Sequence, residues 1–166
     1  MKSVELRDLI NQKRPLYKKE YRDMIEAISI KGDRTRGGTH STFGAFYRTY
    51  MYAFIIGYKL GKQNFITAED KSPVEFAPIG QWQPVRIREF ICMLILNKSS
   101  SFGFTWSDLE DASEETINVF VTEFVNQIQG YANAGLEYLQ DKWDKDRFEF
   151  QDPFVFVNIL EDLNHT

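Results

Sequence analysis

Residues 43–61 read FGAFYRTYMYAFIIGYKLG and form the most strongly patterned stretch of this 166-residue chain. Large apolar and aromatic side chains recur there at positions i, i+3, i+4 and i+7, which is the spacing of an amphipathic helix. From Tyr50 onward the stretch is apolar almost all round, so we expect a central helix covered by its neighbours. Gly61 is a natural C-terminal stop. An interior glycine costs about 1 kcal/mol relative to alanine, so Gly57 predicts close packing against a neighbouring helix.

The rest of the chain predicts further helices around this one. With 43% hydrophobic and 27% charged residues, the composition is that of a globular domain. Helical spacing predicts a long helix over 113–143 that Ser113 opens, and shorter helices before residue 31 and after Pro84. We therefore predict a mainly α fold, a single-domain bundle of five to six helices around 43–61 and 113–143.

Two segments are less regular. Residues 62–83 contain Pro73, Pro78 and Gly80 and predict a long irregular connection between helices. In residues 148–157, alternating phenylalanines are typical of a strand, whereas the spacing after Pro153 is typical of a helix. We expect the helix, because no strong partner strand is evident elsewhere in the sequence.

Charge is divided unevenly along the chain. The net charge is −4, but residues 1–62 hold 13 bases and 6 acids, whereas residues 99–166 hold 3 bases and 14 acids. One interpretation is two solvated faces that attract each other within a monomer or across a dimer. The other is a basic surface for nucleic acid or another polyanion. Overall acidity argues against general DNA coating, so such a contact must be local.

The segment 31–42, KGDRTRGGTHST, has the residue types of an anion site. Guanidinium groups match phosphate oxygens, glycines expose backbone N–H groups, and a helix start adds its positive dipole end. Ser41 or Thr42 would be the N-cap of the central helix. The alternative is a flexible polar loop with an ordinary cap. The anion-site hypothesis assigns the contacts to Arg34, Arg36, Gly37, Gly38, Thr39, His40 and Arg48.

Known nucleotide-binding motifs do not explain this segment, since neither a Walker loop nor a dinucleotide fingerprint is present. Helical spacing predicts that Tyr47 and Tyr50 belong to the core, whereas Arg48 and Tyr52 share the opposite face and are surface candidates. Farther along, Arg86 and Arg88 form either a second basic patch or ion pairs with the acidic C-terminal half, and we expect the pairing.

Catalytic chemistry has little support in the sequence. Cys92 is the single cysteine and lies in an apolar run, which favours a buried thiol. The chain has two histidines and one cysteine, which leaves few ligands for a zinc site. Glu69 and Lys71 have the spacing of a metal-nuclease pair, but the neighbouring sequence does not predict the strands which that chemistry needs. We expect no cofactor, no metal and no enzymatic activity.

The end of the central helix, residues 53–62 (AFIIGYKLGK), resembles a pattern in small accessory proteins of bacterial DNA-modification and phage-defence islands. The resemblance covers these ten residues, and Gln63 stands where an arginine often follows the lysine. It implies a DNA-linked accessory role.

These patterns lead to one functional hypothesis and two alternatives. The leading hypothesis is a non-enzymatic binding module whose basic first third contacts an acidic partner, most plausibly nucleic-acid phosphate. The first alternative is a protein-interaction or oligomeric subunit that uses the acidic C-terminal half, and the second is an enzyme of unrecognised type. Residues 1–10 are amphipathic and charged and do not resemble a secretory signal. Since no apolar run is long enough to cross a bilayer, we expect a cytoplasmic protein with no membrane contact.

Overall fold

The computed structural model describes residues 3–29 and 43–165. Within these ranges the chain forms seven α-helices, one or two more than expected: α1 Ser3–Gln12, α2 Arg22–Ile28, α3 Phe46–Leu60, α4 Val85–Leu96, α5 Trp106–Glu110, α6 Glu114–Lys145 and α7 Val155–Asn164. Two short strands, β1 (Leu16–Tyr17) and β2 (Val74–Glu75), pair antiparallel, with Leu16 opposite Glu75. The predicted mainly α class is confirmed.

Helices α3 and α6 pack against each other at two glycines. A Cβ atom on Gly57 of α3 would lie 2.0 Å from the carbonyl oxygen of Tyr131, and one on Gly135 of α6 would lie 1.8 Å from that of Ala53. Real Cβ atoms do not approach backbone this closely, so glycine is required on both helices. The close packing predicted for Gly57 is therefore confirmed. Next to this crossing, Phe54 and Leu136 are fully buried.

The start of α3 differs from the prediction, and its end agrees. Helix α3 begins at Phe46 rather than Phe43, and its N-cap is Ala45, which forms no side-chain cap hydrogen bond. The predicted N-cap at Ser41 or Thr42 is therefore wrong. Gly44 has a φ of +107°, which interrupts the helical pattern that begins at Phe43. At the other end, Gly61 adopts the left-handed conformation, with φ of 62°, and ends the helix as predicted.

Helix α6 also organises the N-terminal part of the chain. Its N-cap is Ser113, whose hydroxyl accepts a hydrogen bond from the Thr116 N–H at 3.2 Å. Farther along, the backbone N–H of Leu16 donates to Gln129 Oε1 at 2.8 Å, and that of Lys18 donates to Asn133 Oδ1 at 2.9 Å. Both amide side chains are buried, so these bonds hold β1 firmly against α6.

The two segments predicted to be less regular, 62–83 and 148–157, contain a short strand, 3-10 turns and the start of a helix. Between α3 and α4, the chain contains β2 and a single 3-10 turn, Ile79–Gln81, before the fully buried Trp82. Pro84 is the N-cap of α4, which begins at Val85. The C-terminal segment forms a 3-10 turn, Arg147–Gln151, followed by α7, so the expected helix is confirmed.

The glycine crossing makes a stability prediction. We expect Gly135→Ala to lower the free energy of unfolding by about 2–4 kcal/mol, because the added methyl group must push α3 and α6 apart. The matched control is Gly130→Ala on the same helix, where a Cβ meets side-chain atoms of the half-exposed Phe65 and of Gln63. The control should change stability by about 1 kcal/mol or less in urea unfolding. Equal stability of the two variants would contradict the proposed crossing.

Candidate functional site

The residues flanking segment 31–42, which we call the basic segment, meet at the start of α3. The Phe43 N–H donates to the Ile28 carbonyl oxygen at 2.7 Å. Beside this bond, the buried hydroxyls of Ser29 and Thr49 are 2.7 Å apart and hydrogen bonded. The end of α2 and the start of α3 are therefore fixed to each other. Six of the predicted site residues lie outside the described residues: Arg34, Arg36, Gly37, Gly38, Thr39 and His40.

The seventh, Arg48, lies in the first turn of α3 and is exposed. Its side chain extends over Gly44, where a Cβ would be 3.2 Å from Arg48 Cδ. Within the described ranges, the Arg48 guanidinium has no ion pair with an acidic side chain. The cationic side chain of Arg48 therefore lies close to Gly44, two residues after the end of the basic segment.

The tyrosines of α3 are placed as predicted with one exception. Tyr50 is buried, but Tyr52, expected on the surface with Arg48, is only 3% exposed. Its hydroxyl donates to the Phe156 carbonyl oxygen at 2.6 Å, and its ring centroid lies 4.4 Å from that of Phe43. The surface prediction fails because α7 covers this face of α3. Tyr47 is half-buried.

A shallow groove beside α3 has the wrong charge for an anion. It holds about 260 Å³ and is lined in part by Arg22, Glu26, Tyr47 and Glu75. Arg22 is already paired with Glu26, at 3.0 Å between Nε and Oε1. The two glutamates therefore disfavour phosphate here, and an anion at the start of α3 is expected beside Arg48 instead.

The predicted pairing of Arg86 and Arg88 with the acidic C-terminal half is wrong. Within the described residues, neither guanidinium forms an ion pair. Arg86 is exposed, whereas Arg88 is half-buried and donates to the Gly80 carbonyl oxygen. Arg88 lies against the turn that precedes α4, so its guanidinium bonds a backbone carbonyl oxygen there and not a carboxylate.

The acidic residue between Glu69 and Lys71 closes a turn. The carboxylate of Asp70 accepts a hydrogen bond from the Thr67 N–H at 2.7 Å and pairs with Lys18 Nζ at 3.3 Å. These two contacts, the Thr67 N–H first, hold the pKa of Asp70 below its usual range. Among the described residues, no three His, Cys, Asp or Glu side chains are grouped so that they could hold a metal ion.

The cavity that sequence reasoning missed lies between α1, α4 and α5, and we call it the α4 cavity. It measures about 430 Å³ and extends to Ile117 on α6. Cys92 lines it and is half-buried rather than fully buried as predicted. Burial raises the pKa of the Cys92 thiol to about 11, so the thiol is protonated at neutral pH and a poor nucleophile. Four helices supply its walls, which no local pattern in the sequence could reveal.

Searches with protein-family models and among curated proteins and solved structures found no match to this chain. None of the described helices is long and apolar enough to span a membrane.

Cys92 allows a direct test of its surroundings, because it is the single cysteine of the chain. We expect its alkylation by iodoacetamide to rise with pH toward a midpoint near 11 in the folded protein, against 9.0 for an ordinary cysteine, the value expected in urea. At pH 9 the folded protein should react about 50-fold more slowly than the unfolded chain, since its thiolate fraction is lower. Mass spectrometry of the alkylated protein gives both rates. A folded-state midpoint below 9 would contradict the buried, protonated thiol.

Proposed function

We propose that this protein is a non-enzymatic binding module that contacts nucleic-acid phosphate through Arg34, Arg36 and Arg48. The single observation that supports this proposal most is the hydrogen bond between the Phe43 N–H and the Ile28 carbonyl oxygen. That bond joins the residues that flank a segment with two arginines, and it lies close to the helix start that carries the exposed Arg48.

The start of α3 is itself suited to an anion. Its N-cap, Ala45, has no side chain that can accept a hydrogen bond from the first turn. The positive end of the helix dipole therefore adds to the charge of Arg48. A guanidinium group presents two parallel donors that can bond two oxygens of one phosphate group.

The charge distribution limits the size of the contact. Residues 1–62 have an excess of bases, but the whole chain has a net charge of −4. A long nucleic acid that extended beyond the basic first third would be repelled by the acids of the C-terminal half. The contact is therefore confined to a few phosphates.

The salt dependence of binding tests this proposal. Three arginine–phosphate contacts predict that log K for a short oligonucleotide falls with log salt with a slope of about −2 to −3. The double variant Arg34→Gln/Arg36→Gln should reduce that slope to about −1 and weaken binding at low salt. Fluorescence anisotropy with single-stranded and duplex oligonucleotides measures both quantities.

The matched control for this experiment is Arg86→Gln/Arg147→Gln, which removes the same charge from exposed positions on α4 and after α6. The control should bind like the unmodified protein. Absence of binding to either nucleic acid at low salt would overturn the proposal. Equal weakening by the two double variants would show that net charge, and not the start of α3, governs the contact.

A second candidate function, protein association through the acidic C-terminal half, is favoured by its exposed apolar side chains. Phe148, Phe154 and Val157 are 77%, 65% and 54% exposed, and we call the last two the C-terminal apolar surface. Phe154 and Val157 are three residues apart at the start of α7, so they lie on one face. Exposed apolar side chains of this size are typical of surfaces that bind another protein.

Sedimentation velocity distinguishes this candidate from the phosphate contact. If the C-terminal apolar surface joins two copies, the protein should sediment as a defined oligomer that Phe154→Ser/Val157→Ser converts to a monomer. High salt should leave that oligomer intact because its contacts are apolar. A monomer at all concentrations tested would rule out self-association.

A further inference from the structure

The α4 cavity has the size and lining of a small-molecule site. Its volume of about 430 Å³ falls within the usual range for ligand pockets, roughly 300–1,000 Å³. Most of its wall is apolar, from Leu6 and Ile10 of α1, Leu96 of α4 and Leu109 of α5. Trp106 also lines it and is 56% exposed, so a large ring stands at the cavity while much of its surface faces solvent.

Polar groups gather at one end of this cavity. Arg88 and Glu89 lie at the start of α4, about 12 Å along the helix from Leu96 at its end. Asn11 lies against Gly80, to whose carbonyl oxygen Arg88 donates, so Asn11 and Arg88 share this end. A ligand that fills the cavity therefore meets apolar walls along its length and hydrogen-bonding groups at the start of α4.

The charges at the polar end favour an anion. Glu89 is engaged by Arg7, at 3.4 Å between Nη2 and Oε1. Arg88 has no ion pair among the described residues, and its hydrogen bond to Gly80 uses one of the five guanidinium donors. Glu110 of α5 also lines the cavity, and no ion pair between Glu110 and Arg88 is present among the described residues. A half-buried guanidinium without a carboxylate partner is the strongest recognition group in this cavity.

We infer that the α4 cavity binds a small amphipathic carboxylate, with its apolar body between α1, α4 and α5 and its anionic group at Arg88 and Asn11. This site is separate from the phosphate contact proposed at the start of α3, and it involves none of the same residues. A neutral molecule with the same apolar body would gain the burial but lose the charge-assisted hydrogen bond to Arg88.

Octanoate and octanol, which share an eight-carbon chain and differ in charge, test this inference. Octanoate should slow the alkylation of Cys92, which lines the cavity, and octanol should do so more weakly. Calorimetric titration should show that Arg88→Gln raises the Kd for octanoate about tenfold, the loss of one charge-assisted hydrogen bond, and leaves octanol binding unchanged. Arg88→Lys should retain part of the affinity because it keeps the charge.

The control is Arg86→Gln, which removes an exposed arginine of the same helix that does not line the cavity. It should bind octanoate like the unmodified protein. Unchanged octanol binding by Arg88→Gln shows that this variant still folds with its cavity intact. Equal affinity for octanoate and octanol would overturn the anionic ligand class. Failure of both compounds to slow Cys92 alkylation would overturn the cavity as a binding site.

Discussion

The close crossing of α3 and α6 is the contact on which the rest of this fold depends. Gly57 and Gly135 each face backbone of the opposite helix, and no larger residue fits at either position. Because the two backbones touch, side chains on either side of the crossing pack into one core that includes Tyr50 and Leu139. The dispersion contacts made by this close packing offset the free-energy cost of placing two glycines inside helices.

The same crossing positions both candidate sites. A hydrogen bond between Ser29 and Thr49 holds the first turn of α3, so the flanks of the basic segment are fixed to the central helix pair. Helix α6 holds β1 through Gln129 and Asn133, and thereby fixes the chain between α1 and α2. Helix α1 then forms one wall of the α4 cavity.

Local patterns in the sequence predicted the helices well, and tertiary contacts account for the errors. The roles of Gly57 and Gly61 are predictable from the sequence. Glycine destabilises the interior of a helix, but it readily adopts the left-handed conformation that ends one. Tyr52 was assigned to the surface because its helical face also carries Arg48, but α7 covers that position. Such coverage depends on a segment a hundred residues later, which periodicity does not reveal.

The candidate sites are harder still to predict from local sequence patterns. The basic segment was found from composition, and Arg48 is exposed beside it as expected. Arg88 was expected to pair with acids, but the turn before α4 provides a nearer acceptor at Gly80. The α4 cavity combines residues from four helices, so its apolar walls look like ordinary core positions in the sequence. Only the folded structure shows that these residues line a cavity.

Hydrogen–deuterium exchange of the full chain, with and without a short single-stranded oligonucleotide, tests the central claim that the basic first third carries the binding function. We expect slower exchange on binding in peptides covering residues 28–50, while peptides covering 85–117 and 146–165 remain unchanged. Protection confined to the C-terminal peptides, or no protection between residues 28 and 50 under conditions where the oligonucleotide is bound, would contradict it.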